Sequence, residues 1–190
     1  MLSPELDRFC TEWLAKAAPY SVSSVDECYD KFFTLFVVFN RLYAEATFEL
    51  ARQGRITLQP NRQLPDRKGA TEYAFEIIGI AAFQELCNTR LAGSISEVAS
   101  LIESEQFYIK LSVPNGERQR EKDLALLADL RSSGKTRLLA VLDILYSVRC
   151  NLFHGHKAFR PVQVALLRPA IAILSEVIAT LRQALSTNVA

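Results

Sequence analysis

The two histidines of this chain, His154 and His156, both fall in the stretch 147-SVRCNLFHGHKAF-159, together with Arg149, Asn151 and Lys157. An arginine keeps its proton and grips phosphate through a planar fork of donors, whereas an imidazole takes and gives protons near neutrality. Side by side, the two would suit phosphodiester cleavage, one holding charge on the phosphate while the other moves a proton. On an unbroken helix, Arg149 and His154 would stand about 140° apart around the axis, because each residue turns about 100°. Gly155 is a natural terminator, so the last turn can unwind and swing His154 toward the arginine, or both can meet groups of a neighbouring subunit. A plainer alternative stays open at this point: Arg149 caps carbonyls at a helix end and the histidines are solvated cations.

Other chemistries are poorly supplied. The segment 132-SSGKTR-137 ends like a phosphate-binding loop, but that loop needs a glycine where Asp129 stands and a strand leading into it. Gly134 is therefore expected to break a helix. The two-residue spacing of His154 and His156 has no carboxylate or thiol beside it in a zinc pattern, and no Gly-x-Ser-x-Gly elbow exposes a serine. Neither a metal nor a cofactor is expected. Cys10, Cys28, Cys87 and Cys150 are scattered without a Cys-x-x-Cys pair and are expected to be reduced, buried thiols.

The elements that must carry Arg149 are helical. Few glycines, no repeats and long runs of 3.6-residue periodicity predict an all-α, single-domain bundle of about six or seven helices spanning residues 1–190. Ser3 and Pro4 open a first helix that runs to Ala17. A second follows Ser24 to about Gln53, with Asp26 and Glu27 against its N-terminal dipole and Gly54 ending it. Within it, Phe32, Phe36, Phe39 and Tyr43 form a core stripe, Arg41 and Glu45 an exposed pair, and Asn40 is a polar amide in need of partners. Residues 55–68, with two prolines and more basic than acidic side chains, read as a loop. Helices over about Thr71–Leu91, Ser96–Ser104 and Glu117–Ser132 follow, the second opened by a capping box of Ser94 and Glu97, with 107–116 extended or irregular between the last two. The next helix, about Lys135–Phe153, carries Leu138, Leu142, Leu145, Val148 and Leu152 as one apolar stripe, with Arg149 at its edge and partly desolvated. The acid nearest Arg149 in sequence is Asp143. After this helix Pro161 and Pro169 break up the pattern, and Leu167, Ile171, Leu174, Ile178, Leu181 and Leu185 form the stripe of a final helix.

The most apolar window, 32-FFTLFVVF-39, is far shorter than the roughly 20 residues that span a bilayer, and MLSPELDRFC lacks the basic and apolar regions of a secretory signal. No membrane association is expected, and the cytoplasm follows by default. The formal charge of +1 conceals an asymmetry. From Gly134 onward seven basic residues face two acidic ones, a net of +5, whereas the preceding residues carry fifteen against nineteen, a net of −4. A basic C-terminal third that holds both histidines could gather a phosphate-bearing ligand.

These residues resemble the HEPN domains, helical bundles named for higher-eukaryote and prokaryote nucleotide binding. The signature of that family is an arginine, four to six residues and a histidine at the end of a late helix, which here reads 149-RCNLFH-154, followed by Gly155 and Lys157. The phrase 31-KFFTLFVVFNRLY-43 is similar to the aromatic core helix of the group, so the resemblance covers most of the chain in helix order. It implies a metal-independent endoribonuclease of toxin or antiviral-defence type, working as a homodimer with two arginine-histidine pairs in one cleft. His154 would serve the 2′-hydroxyl and the leaving oxygen, Arg149 the scissile phosphate, and Lys157 and His156 the RNA backbone. The family commonly has a polar residue directly after the arginine. Cys150 stands there in this chain, so the assisting role passes to Asn151, three residues before His154. An antitoxin or other partner protein is a further implication, as is the alternative of a catalytically silent adaptor that binds a protein or nucleotide.

Overall fold

The computed structural model describes residues 2–59, 64–112, 114–153 and 160–187, and the chain is an all-α bundle. Helix α1 (Pro4–Ala17) begins where its cap requires, with Ser3 Oγ accepting from the Leu6 amide at 3.2 Å. Helix α2 (Val25–Arg52) starts in the same manner on Ser24. The Glu27 carboxylate accepts the hydroxyls of Ser21, Ser23 and Ser24 there, which, led by Ser21, hold its pKa down at about 2. Gly54 follows the end of α2 at φ +68°, a conformation that costs glycine little.

After the connecting loop the chain becomes helical at Asp66, earlier than its prolines and charges suggest. Helix α3 (Asp66–Lys68) passes through a wide π-helical turn, Gly69–Tyr73, into α4 (Ala74–Ile78). Gly79, at φ +81°, then divides the single helix expected over 71–91 and leads into α5 (Ile80–Asn88). Helix α6 (Ala92–Glu103) begins one turn before the expected capping box, so Ser94 lies inside it and caps nothing; Leu91 holds the cap position without a side-chain bond. Leu91 and Ile95 are both buried, and the apolar register sets the start of this helix in place of the polar pair.

Helix α7 (Arg120–Arg131) and helix α8 (Gly134–Phe153) form a hairpin that turns at Gly134, φ +63°. Between α6 and α7 the irregular stretch is pinned by one fully buried carboxylate. Asp123 Oδ1 accepts from the amides of Ile109 and Lys110 at 3.1 and 2.8 Å, and burial pushes its pKa up against the pull of those two bonds. Among the described residues, one antiparallel bridge joins Leu111 to Arg118.

Helix α9 (Val164–Thr187), preceded by a short 3-10 turn at Pro161–Gln163, packs along α2 at the centre of the bundle. It runs straight through Pro169, which was expected to interrupt it. A proline inside a helix costs about 3 kcal/mol or more, whereas each fully buried aliphatic side chain contributes about 1.5–3 kcal/mol. All six stripe residues from Leu167 to Leu185 are buried, so packing outweighs the lost bond. Pro161–Thr187 is also long and apolar enough to cross a bilayer by composition, with 56% of its most apolar window buried inside the fold. On α2 the stripe of Phe32, Phe36, Phe39 and Tyr43 is buried, and Arg41 pairs with Glu45 at 3.5 Å. Asn40 is exposed, so its amide faces solvent and needs no protein partner, contrary to the sequence reading.

Candidate functional site

Helix α8 carries Arg149 on its last turns, beside the stripe of Leu142, Leu145 and Val148 that anchors the helix in the core. The arginine side chain keeps 24% of its exposure. Its guanidinium lies among rings, 4.6 Å from the centroid of Phe153, 5.8 Å from Phe36 and 6.0 Å from Tyr146. Phe153 is itself braced edge-on against Phe33, with centroids 4.7 Å apart. Such a pocket of aromatic faces suits a cation but offers it no full charge.

The charge comes from Asp66, at the start of α3. Asp66 Oδ2 stands 3.5 Å from Arg149 Nη1 and accepts the Tyr146 hydroxyl at 3.1 Å, while Oδ1 accepts the Tyr43 hydroxyl. One carboxylate thus joins α2, α3 and α8. Arg67, the next residue, pairs with Asp143 of α8 at 2.8 Å, so two adjacent side chains fasten this segment to the same helix. Asp143, the acid nearest Arg149 in sequence, is therefore engaged elsewhere, with Arg67 and Lys110.

The electrostatics follow from this packing. Burial opposes the Arg149 charge, but the Cys150 sulfur, which accepts from Nη1 at 3.8 Å, and the Asp66 carboxylate hold its pKa above the ordinary arginine value. The Tyr43 and Tyr146 hydroxyls are both pushed up, first by burial and then by the nearby negative groups, so both remain donors. Arg149 Nε is buried without a hydrogen-bond partner among the described residues. A phosphate oxygen placed against Arg149 would meet a fixed cation held in a partly dry setting, where each charge-assisted bond counts for more than in water.

Of the residues expected to act, Arg149 and Asn151 are described, and His154, His156 and Lys157 lie outside the described residues. Asn151 is buried and its Nδ2 donates to the Ile109 carbonyl at 2.8 Å, so the amide nitrogen braces the irregular stretch against α8. Cys150, after the arginine, is the partly exposed one of four free cysteines; Cys10, Cys28 and Cys87 are buried as expected.

Sequence reasoning overlooked Asp66, Tyr43 as a donor, and Tyr146. Each left a signal. Asp66 is the one acid in the basic stretch 55–68, Tyr43 carries the one hydroxyl of a phenylalanine stripe, and Tyr146 stands three residues before Arg149 on the same helix face. Among the described residues no cluster of histidine, cysteine or carboxylate side chains could hold a metal ion. No family profile matches the chain, and neither the curated proteins nor the solved structures contain a significant match to it.

Proposed function

We propose that this chain is a metal-independent endoribonuclease of toxin or antiviral-defence type that acts as a homodimer, with Arg149 and His154 as its reacting pair. The observation that carries this reading is the setting of Arg149: a half-buried guanidinium, ringed by aromatic faces, opposed by a single carboxylate and followed after four residues by His154. An RNA phosphate would displace Asp66 as the anion facing the arginine. The 2′-hydroxyl then attacks its own phosphorus; the O2′–P bond forms and the P–O5′ bond breaks. His154 takes the 2′ proton or returns one to the departing 5′ oxygen, and the products are a cyclic phosphate and a 5′-hydroxyl end. Arg149 holds the charge that gathers on the phosphate oxygens in the transition state.

The test is cleavage of single-stranded or structured RNA in the presence of EDTA. Arg149→Ala and His154→Ala should each abolish cleavage while leaving the helical circular dichroism spectrum unchanged. Equal cleavage by the wild type and both variants rejects the pair.

A second reading is favoured by two bonds: Arg149 already has Asp66 as its anion, and the Asn151 amide nitrogen is committed to the backbone. In that reading the chain is a catalytically silent adaptor that binds a partner protein or nucleotide. Cells that grow normally when the protein is induced, together with no cleavage of total RNA by the purified protein, select the adaptor.

A further inference from the structure

Cys150 accepts from Arg149 Nη1 at 3.8 Å, and it also lines a cavity of about 360 Å³ between α8, α7 and the 109–111 stretch. Such a volume is within the range of small-ligand sites. Three cations line the same cavity: Arg67 of α3, Lys110 of the irregular stretch and Lys122 of α7. Among the described residues one carboxylate, Asp143, bonds Arg67 and Lys110, and none bonds Lys122. Three positive charges thus stand against one negative charge. Lys110 is held in place before any ligand arrives, with its amide on the buried Asp123 and its Nζ on Ser147 Oγ at 2.9 Å.

Asn151 narrows the class of ligand. It is 7% exposed and lines the cavity, and its Nδ2 is committed to the Ile109 carbonyl at 2.8 Å. Its Oδ1 makes no hydrogen bond with a described residue, although a buried acceptor ordinarily has a partner. A ligand that carries an N–H can supply one, and a bare oxyanion such as sulfate cannot. The cations call for acid groups, the amide oxygen for an N–H, and the thiol in the wall for a group that reacts with sulfur. A disulfide of a carboxylated peptide carries all three. The other cysteines are poor competitors, since Cys10, Cys28 and Cys87 are buried and burial pushes each thiol up, that of Cys87 to about 11.

We infer that Cys150 is a thiolation site for a small carboxylated peptide disulfide of the glutathione class, with its carboxylates at Arg67 and Lys122 and a peptide N–H on Asn151 Oδ1. Cys150 Sγ, as its thiolate, attacks one sulfur of the disulfide. A new S–S bond forms to Cys150, the S–S bond of the ligand breaks, and the departing thiolate takes up the proton that Cys150 gave. One disulfide and one protein thiol thereby become one mixed disulfide and one free thiol, with no other oxidant required. Arg149 Nη1 faces the reacting sulfur while negative charge is spread over the three sulfurs. The inference goes beyond the ribonuclease reading and does not rest on it.

The test is incubation of the folded protein with oxidised glutathione, with tandem mass spectrometry following the glutathionyl group on each cysteine. One adduct, removed by dithiothreitol, should appear on Cys150. Each rate is divided by that of a synthetic peptide of residues 147–153, which corrects for the leaving thiol and the local sequence. On that scale oxidised glutathione should react about tenfold faster than cystamine, a cationic disulfide, the effect of roughly two exposed charge pairs. It should also outpace 3,3′-dithiodipropionate, which has carboxylates but no N–H. Arg67→Gln and Lys122→Gln alter exposed side chains, and each should slow the reaction with oxidised glutathione by about three- to fivefold while leaving cystamine no slower. Cystamine reacting as fast as oxidised glutathione overturns the inference, as do unchanged rates in both variants or adducts spread over all four cysteines. A dithiodipropionate rate equal to that of oxidised glutathione overturns the peptide as the ligand. RNA cleavage enters none of these measurements, so the thiolation site and the nuclease reading fail separately.

Discussion

Arg149 and Asp66, separated by 83 positions in the chain, face each other at 3.5 Å, and the same carboxylate takes the hydroxyls of Tyr43 and Tyr146. The carboxylate is thus the anion that an RNA phosphate would have to displace under the proposed function. Asp66 is 44% exposed, so solvent screens the pair and its net worth is small, about 0–1 kcal/mol. A ligand with two charged oxygens can compete with such a partner.

Asp66→Asn should therefore free Arg149 without dismantling the cluster, since the amide oxygen still accepts a tyrosine hydroxyl. RNA binding and cleavage should rise by about three- to fivefold, the range set by a pair of under 1 kcal/mol. Asp66→Ala should differ by also leaving the hydroxyl of the buried Tyr43 without its acceptor, which costs about 1–3 kcal/mol in urea denaturation. Reduced cleavage by the asparagine variant at unchanged stability would make Asp66 a positioning residue for Arg149 and not its competitor.

Gly69 stands where α3 widens into its π-helical turn, against the Tyr43 ring. A Cβ there would lie 2.8 Å from Tyr43 Cδ2 and 3.3 Å from Cε2. Tyr43 is buried and tied to Asp66, so the ring has little room to withdraw. Gly69→Ala should lower stability by about 1–3 kcal/mol through overpacking, despite the better helix propensity of alanine. Denaturant titration checks it, and an unchanged or raised midpoint would mean that the ring moves freely.

Asn151→Ala removes the donor to the Ile109 carbonyl inside the fold. The expected loss is about 1–3 kcal/mol, measured in urea. If stability stays at the wild-type level while cleavage disappears, the amide belongs to the chemistry and not to the brace.

Asp123 makes stability depend on pH in a stated direction. Its folded pKa lies above that of an ordinary aspartate because burial disfavours the charge. The folded state then binds the proton more tightly than the unfolded chain. The contribution is complete below the ordinary aspartate pKa and is lost as pH rises through the raised folded value. Asp123→Asn should remove that slope while its oxygen keeps both backbone amides, and Asp123→Ala should destabilise at every pH by leaving them unpaired. Thermal melts of the three proteins across mildly acidic pH decide it; parallel curves for the wild type and the asparagine variant would exclude Asp123 as the source.

The local rules of the sequence determined the helices that depend on neighbours in the chain. Ser3 and Ser24 mark two starts, Gly54 and Gly134 two breaks, and the stripes of α2, α8 and α9 mark what is buried, because caps and periodicity are set within a few residues. Where the local signal and the packing disagreed, packing prevailed: α6 starts on an apolar register ahead of its polar box, and α9 passes through Pro169. At the candidate site the sequence singled out Arg149 and its desolvated position, yet it offered Asp143 as the nearest acid. Only the tertiary fold brought Asp66 to the arginine, turned Tyr43 and Tyr146 onto that carboxylate and assigned Asn151 to a backbone carbonyl. Ion pairs and buried hydrogen bonds join groups that are close in space, and that closeness is fixed by how α2, α3 and α8 pack, which no spacing along one helix encodes.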